Sequence, residues 1–182
     1  MKQLVFIPPT NYNETVLAEI QKIAADGKRV YYVTLNKTCA NLRESLQEVL
    51  GKAEQFTFLD AITPKLLTLK SQEHCEYVSS VDDINELTEK ILTGVLASKS
   101  QVLVIDSLSS LLVYKDEKEV LAFLNYLLPF MDRKQMSVVL FTLQEDAARP
   151  ALKQLQMMMD HTRVAAPAGA SGPKPAKRSW LR

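Results

Sequence analysis

Short apolar runs and longer amphipathic segments alternate along the chain. The runs at 3–7, 29–35, 56–61, 101–106 and 137–143 are rich in Val, Ile, Phe and Tyr, and they read as buried strands. Between them, apolar residues recur at helical spacing. Residues 14–25 place Leu17, Ile20, Ile23 and Ala24 on one face, and 41–50 place Leu42, Leu46, Val49 and Leu50 likewise. Residues 82–97 do so with Ile84, Leu87, Ile91 and Val95, and 117–131 with Val120, Leu121, Leu124, Leu127 and Leu128. Each is the pattern of a helix covering a sheet. A fifth helix is expected at 147–158 and a short last strand at 162–165. Alternation of this kind predicts an α/β domain, a three-layer α/β/α sandwich on a mainly parallel sheet with helices on both faces. In such folds ligands bind beyond the carboxyl ends of the strands, which here means 7–15, 35–38, 60–63, 106–110 and 142–146. The longest irregular stretch, 63–80, carries Lys65, Lys70, His74 and Cys75 and reads as a binding or lid loop.

Composition divides the chain. With 47% hydrophobic and 24% charged residues among 182, bulk disorder is excluded, and a net charge of +1 gives no global field toward nucleic acid or acidic substrates. The charge is uneven, however. Residues 163–182 hold five of the 22 basic residues and none of the 21 acidic ones. Large apolar residues thin out over the same stretch, which is rich in Ala, Pro and Gly. The expectation is a domain at 1–166 and a flexible basic tail at 167–182. Trp180 and Leu181 near its end read first as part of a solvated terminus, and alternatively as a short docking peptide for an anionic surface or a partner protein. Cys39 and Cys75 lie far apart and imply no disulfide framework, so a reducing, intracellular setting is expected. No apolar run has the length of a signal peptide or a membrane span, which points to the cytoplasm.

Two strand ends carry the candidate chemistry. The first predicted strand runs into Pro8-Pro9-Thr10-Asn11-Tyr12-Asn13-Glu14-Thr15 and then into a helix. A phosphate loop, G-x-x-x-x-G-K-[ST], has this context. Laid over it, Pro8 and Asn13 fall at the glycines, Glu14 at the lysine and Thr15 at the Ser/Thr, so only Thr15 fits. Pro8 and Pro9 have no N–H to offer a phosphate. Glu14 puts a negative charge where a positive one is needed, and at ~4 Å and an effective dielectric of ~20 one unit charge pair is worth about 4 kcal/mol. Glu14 suits the first turn of a helix, with Asn13 as its N-cap. The fourth predicted strand ends Val102-Leu103-Val104-Ile105-Asp106-Ser107. Apolar residues closing on an aspartate resemble a Walker B strand, whose Asp holds magnesium through water.

These sites, together with the segments between them, resemble the RecA/KaiC-like branch of P-loop ATPases, especially archaeal KaiC-like proteins, over most of residues 2–165. The stretch from Val102 to Tyr114 is similar to the KaiC-type Walker B strand and its continuation. Leu121–Leu128 with Ser137–Thr142 is similar to the next helix and strand, and Gln156–Val164 to a late helix-to-strand segment. The resemblance implies a RecA-like sheet and a nucleotide site built from Asn13, Glu14, Thr15 and Asp106, with ATP and magnesium as the ligands in doubt. The departures decide the expectation. The glycines and lysine of the loop are missing. Where the family typically has a Glu pair after the second strand, this chain has Asn36-Lys37, and neither is a carboxylate base. Gln144 follows the fifth strand like a nucleotide-sensing Gln, or simply faces solvent. The expected function is a non-catalytic domain that regulates or assembles with a protein partner, either a RecA/KaiC-like ATPase or a second copy of itself. The alternative is a nucleotide-binding switch or weak ATPase that uses Asp106, Thr15 and Lys37.

Other readings fail on missing parts. A receiver domain with Asp60 as phospho-acceptor needs acidic residues after the first strand and a Lys after the fifth, where this chain has Pro8-Pro9 and Leu143-Gln144. There is no G-x-G-x-x-G and no G-x-S-x-G. Cys39, His74, Cys75 and His161 lack metal-ligand spacing, and Met157–Met159 reads as packing.

Overall fold

The computed structural model describes residues 1–51, 53–63 and 74–167. The elements are β1 (Lys2–Ile7), α1 (Tyr12–Ala24), β2 (Val30–Thr34), α2 (Cys39–Leu50), β3 (Phe56–Asp60) and β4 (Cys75–Tyr77). They continue with α3 (Ile84–Ala97), β5 (Val102–Asp106), α4 (Leu108–Tyr114), α5 (Glu117–Arg133), β6 (Ser137–Leu143), a 3₁₀ turn (Gln144–Ala148), α6 (Pro150–Gln156) and β7 (His161–Val164). The strands form one sheet in the order β4-β3-β2-β5-β6-β1-β7, and every pairing is parallel.

Strand alternation sends side chains to two separate cores. Val5, Ile7, Val30, Tyr32, Val104 and Phe141 pack under α1 and α2 through Val16, Ile20, Leu42 and Leu46. Leu4, Tyr31, Val33, Leu103, Ile105 and Leu140 pack under α3 to α6. This is the expected three-layer sandwich. The central strands β2 and β5 are buried at every position, as their apolar runs ending in Thr34 and Asp106 require.

Close approach of α3 to β2 depends on one glycine. A Cβ at Gly94 would lie 2.1 Å from the Tyr31 hydroxyl oxygen and 2.3 Å from its Cζ. The Tyr31 phenol occupies that space and donates to the Lys90 carbonyl at 3.3 Å. Across the sheet, Glu19 on α1 is almost fully buried. It is held by Lys22 at 2.8 Å and by Arg163 of β7 at 2.5 Å. Burial pushes its carboxyl up, but these two cations outweigh it and hold the group below the usual range.

Several expectations are corrected. The expected helix at 147–158 is divided: a 3₁₀ turn ends at Ala148, and Pro150 opens α6 at its first position, where the missing N–H costs nothing. Within the loop expected at 63–80, Cys75–Tyr77 forms an edge strand on β3, and residues 64–73, with Lys65 and Lys70, lie outside the described residues. The seven-residue α4 follows Asp106 directly, where no helix was expected.

The cysteine reading is also corrected. Cys39 and Cys75 are joined as a disulfide with Cα atoms 6.5 Å apart, although 36 positions separate them in sequence. Parallel pairing sets Cys75 beside Phe58, and the first turn of α2 docks over the same end of β3. The inference of a reducing compartment therefore loses its support.

Among the described residues, no helix is long and apolar enough to cross a membrane. The tail expected at 167–182 lies outside the described residues from 168 onward.

Candidate functional site

Asp106 ends β5 near the middle of the sheet, on the face covered by α1 and α2. Asp106 is 2% exposed, so its carboxylate oxygens need donors from the protein. Three donors converge on it. The Tyr12 hydroxyl donates to Oδ1 at 2.6 Å and the Tyr32 hydroxyl to Oδ2 at 2.7 Å. The Asn36 amide donates to Oδ1 at 2.9 Å. The backbone is tied as well, since the Leu35 N–H donates to the Asp106 carbonyl at 2.6 Å.

Each donor arrives by a different route. Tyr32 stands in β2, directly beside β5, with its ring fully buried in the α1/α2-side core. Asn36 follows β2 in the loop that leads to α2, where Thr34 accepts from the Lys37 N–H at 3.2 Å and donates to the Lys37 carbonyl at 2.6 Å. Tyr12 comes from farther away. It is the first residue of α1, at the end of β1, and β6 lies between β1 and β5. Two strand spacings are about 10 Å, so it takes a long side chain to span the crevice from the loop to the aspartate.

The loop that delivers Tyr12 is short. Only Pro8, Pro9, Thr10 and Asn11 separate β1 from α1. The helix therefore starts before the expected N-cap Asn13. Asn11 takes that place with φ 57° and no side-chain cap, and its carbonyl accepts from the Thr15 N–H at 2.9 Å. Asn13 and Glu14 are exposed on the first turn of α1, and Thr15 is fully buried. Of the four expected site residues, then, only Asp106 sits in this hydrogen-bonded cluster. Gln144 opens the 3₁₀ turn and is exposed, as the plainer expectation had it.

The electrostatics follow from burial. Desolvation pushes the Asp106 carboxyl up from its usual range, and the hydrogen bonds from Tyr12, Tyr32 and Asn36 and the charge of Lys37 oppose that rise. The Tyr12 and Tyr32 phenols are pushed far above their ordinary value, first by burial and then by the negative charge of Asp106. At any physiological pH both remain donors.

The other buried strand-end carboxylate, Asp60, has a different occupation. Its oxygens accept from the Cys39, Ile62 and Thr63 backbone N–H groups at 2.7, 2.9 and 2.8 Å and from the Thr63 hydroxyl at 2.7 Å. It caps α2 and the turn after β3, which agrees with the rejection of a receiver-type phospho-acceptor. Among the described residues, no cluster of His, Cys, Asp and Glu could hold a metal ion.

Sequence reasoning missed Tyr12 and Tyr32. A signal for each was present. Tyr12 puts a bulky ring where a phosphate loop needs bare backbone. Tyr32 is a phenol in a run that reads as fully buried, and a buried hydroxyl needs a partner.

The family described as "ATPase: KaiC" matches residues 19–160. The matched span begins four residues beyond Thr15, so it includes Asp106 but not the loop that carries Tyr12. Among solved structures, the chain is similar to a KaiC-like protein from the hyperthermophilic archaeon Pyrococcus horikoshii OT3. Identity is 17% and the TM-score 0.59, covering 85% of this chain and 66% of that one. The chain thus spans just under two thirds of that protein's length, and at this identity the likeness shows a shared fold. No curated protein matches the sequence.

Proposed function

This chain belongs to the KaiC ATPase family, and we propose that within it the protein is a non-catalytic member that serves as a regulatory or assembly subunit. One observation carries the reading: the Asp106 carboxylate, where the family resemblance places the magnesium-holding group, already accepts on both oxygens from Tyr12, Tyr32 and Asn36.

The residues present do not fit a magnesium nucleotide. A magnesium ion, held directly or through its water shell, needs carboxylate lone pairs that are available to it. Here the carboxylate is buried and both its oxygens already accept from protein donors, two of which are phenols that do not ionise. A polyphosphate needs a cradle of N–H groups and a cation. The turn after β1 offers two prolines, and Tyr12 extends from it across the crevice toward β5. The place of a catalytic carboxylate after β2 is held by Asn36. Its amide donates to Asp106, whereas a carboxylate there would repel it.

Phosphoryl transfer is largely positioning and charge stabilisation, and the groups that supply both are replaced. What the chain retains is the scaffold: the seven-stranded sheet, its two helical layers and the surfaces through which such domains can associate. The partner is therefore a protein, either a nucleotide-hydrolysing subunit of the same family or a second copy of this chain.

The test is to mix the purified protein with a hydrolysing family member from the same cell and measure mass by light scattering and ATP turnover together. A mixed assembly with altered turnover, and no turnover by this chain alone, is the expected result. Hydrolysis by this chain alone, lost in Asp106→Ala, would refute the proposal.

A further inference from the structure

Helices α3 and α5 leave a groove of about 580 Å³ on the face of the sheet opposite α1 and α2. Ile84, Leu92, Phe123 and Tyr126 give it a mainly apolar surface, with Tyr126 64% exposed and Asn85 and Thr88 also on the lining. Two charged residues line it, Glu89 and Glu119, both acidic. Glu119 already pairs with Lys115 at 3.2 Å and closes the capping box of α5, so Glu89 carries the complementary charge. The volume falls within the range of sites that bind drug-sized ligands.

The segment 168–182 has the complementary chemistry. It contains Lys174, Lys177, Arg178 and Arg182 and no acidic residue, and its only large apolar side chains are Trp180 and Leu181. Reach can be calculated. The chain leaves β7 at Ala165, whose N–H bonds to the Phe6 carbonyl at the carboxyl end of the sheet. Helix α3 packs over β2, four strands away in the sheet order. Four spacings of ~4.8 Å combined with one layer of ~10 Å give a span of roughly 22 Å. For fifteen residues, 165 to 180, the random-coil root-mean-square length is about 21 Å, close to the match that maximises effective concentration. The groove's lining residues lie on the first two thirds of α3 and α5. Both helices start at the carboxyl end of the strands, so this is the end nearest the departing chain.

We propose that the Trp180-Leu181 segment docks in the α3–α5 groove of its own chain. The indole and the leucine fill the apolar trough, and the basic residues Lys177, Arg178 and Arg182 sit on the side of Glu89. The inference is independent of the nucleotide-site reading, because the groove lies on the opposite face of the sheet from Asp106.

Trp180 is the sole tryptophan of the chain, so its fluorescence reads the contact directly. The full-length protein is expected to show blue-shifted emission and weaker acrylamide quenching than a free tryptophan peptide, independent of protein concentration. Glu89→Lys and Tyr126→Ala change exposed positions. Together they are expected to weaken docking about tenfold, which reads as a red shift and restored quenching. High salt is expected to act in the same direction. Circular dichroism on the same samples confirms that the variants fold. Solvent-like emission in the full-length protein would overturn the proposal. So would a blue shift that the two substitutions leave unchanged, or one that disappears on dilution and therefore reports docking onto a second copy.

Discussion

Asp106→Asn is expected to fold at least as stably as the parent at neutral pH, whereas Asp106→Ala is expected to lose about 3–5 kcal/mol. The contrast follows from what each change leaves behind. Asparagine keeps an oxygen to accept from one tyrosine and an amide to donate to the other, and it removes the charge that burial opposes. Alanine leaves the buried Tyr32 hydroxyl and the half-buried Tyr12 hydroxyl facing a cavity without their acceptor, while the exposed Asn36 amide can turn to water.

The two proteins should also differ in pH dependence. Burial raises the folded-state value of Asp106 above its ordinary 3.8, so the folded chain favours the neutral acid. Its contribution to stability is therefore complete below the unfolded value and is lost as pH rises through the raised folded one. Asparagine does not titrate, so the stability of Asp106→Asn relative to the parent should climb with pH across that window and level off above it. Thermal melts of both proteins from pH 3 upward check this. A difference that stays flat, or that favours the parent as pH rises, would show that the carboxylate is stabilised in place and not strained by its burial.

Gly94→Ala is expected to destabilise the protein by about 3 kcal/mol, even though alanine is the better helix former by ~1 kcal/mol. At this size that corresponds to a fall in Tm of roughly 6–12 °C. The added Cβ would meet the Tyr31 hydroxyl oxygen at 2.1 Å and the ring beyond it. The ring is fully buried in the core and has nowhere to go. Tyr31→Leu removes the ring, so the double variant should recover much of the loss, with a coupling energy of about 2 kcal/mol between the positions. Chemical denaturation of the four proteins in the cycle measures it. Simple additivity would mean that the helix shifts to absorb the methyl group.

The sheet was legible in the sequence because each of its longer strands carries a run of large apolar residues. Burial on both faces favours such runs, so β1, β2, β3, β5 and β6 announce themselves, with polar residues confined mostly to their ends. The edge strand β4 did not, because its three residues alternate and lean on β3 alone. Helix α4 was hidden for a related reason: seven residues are too few for a helical period to stand out. The bond between Cys39 and Cys75 could not be read because it depends on the β3–β4 register, which no local pattern encodes.

At the site, sequence reasoning identified Asp106 and the chemistry missing from the loop, but not what replaced it. Missing glycines and a missing lysine are visible against a motif. That Tyr12 begins a helix two strands away from Asp106, and that its hydroxyl finishes on that carboxylate, is a matter of tertiary distance. The polar residues first weighed as ligands, Asn13 and Glu14, lie on the exposed side of the same helical turn. A single residue of phase along α1 separates the face that reaches the crevice from the face that meets solvent.

The central claim is that Tyr12, Tyr32 and Asn36 hold the place of a magnesium nucleotide. Calorimetric titration of the full-length protein with ATP and magnesium tests it most directly. No saturable heat up to millimolar nucleotide is the predicted result. Saturable binding in the micromolar range that disappears in Asp106→Ala, while circular dichroism shows that variant still folded, would contradict it.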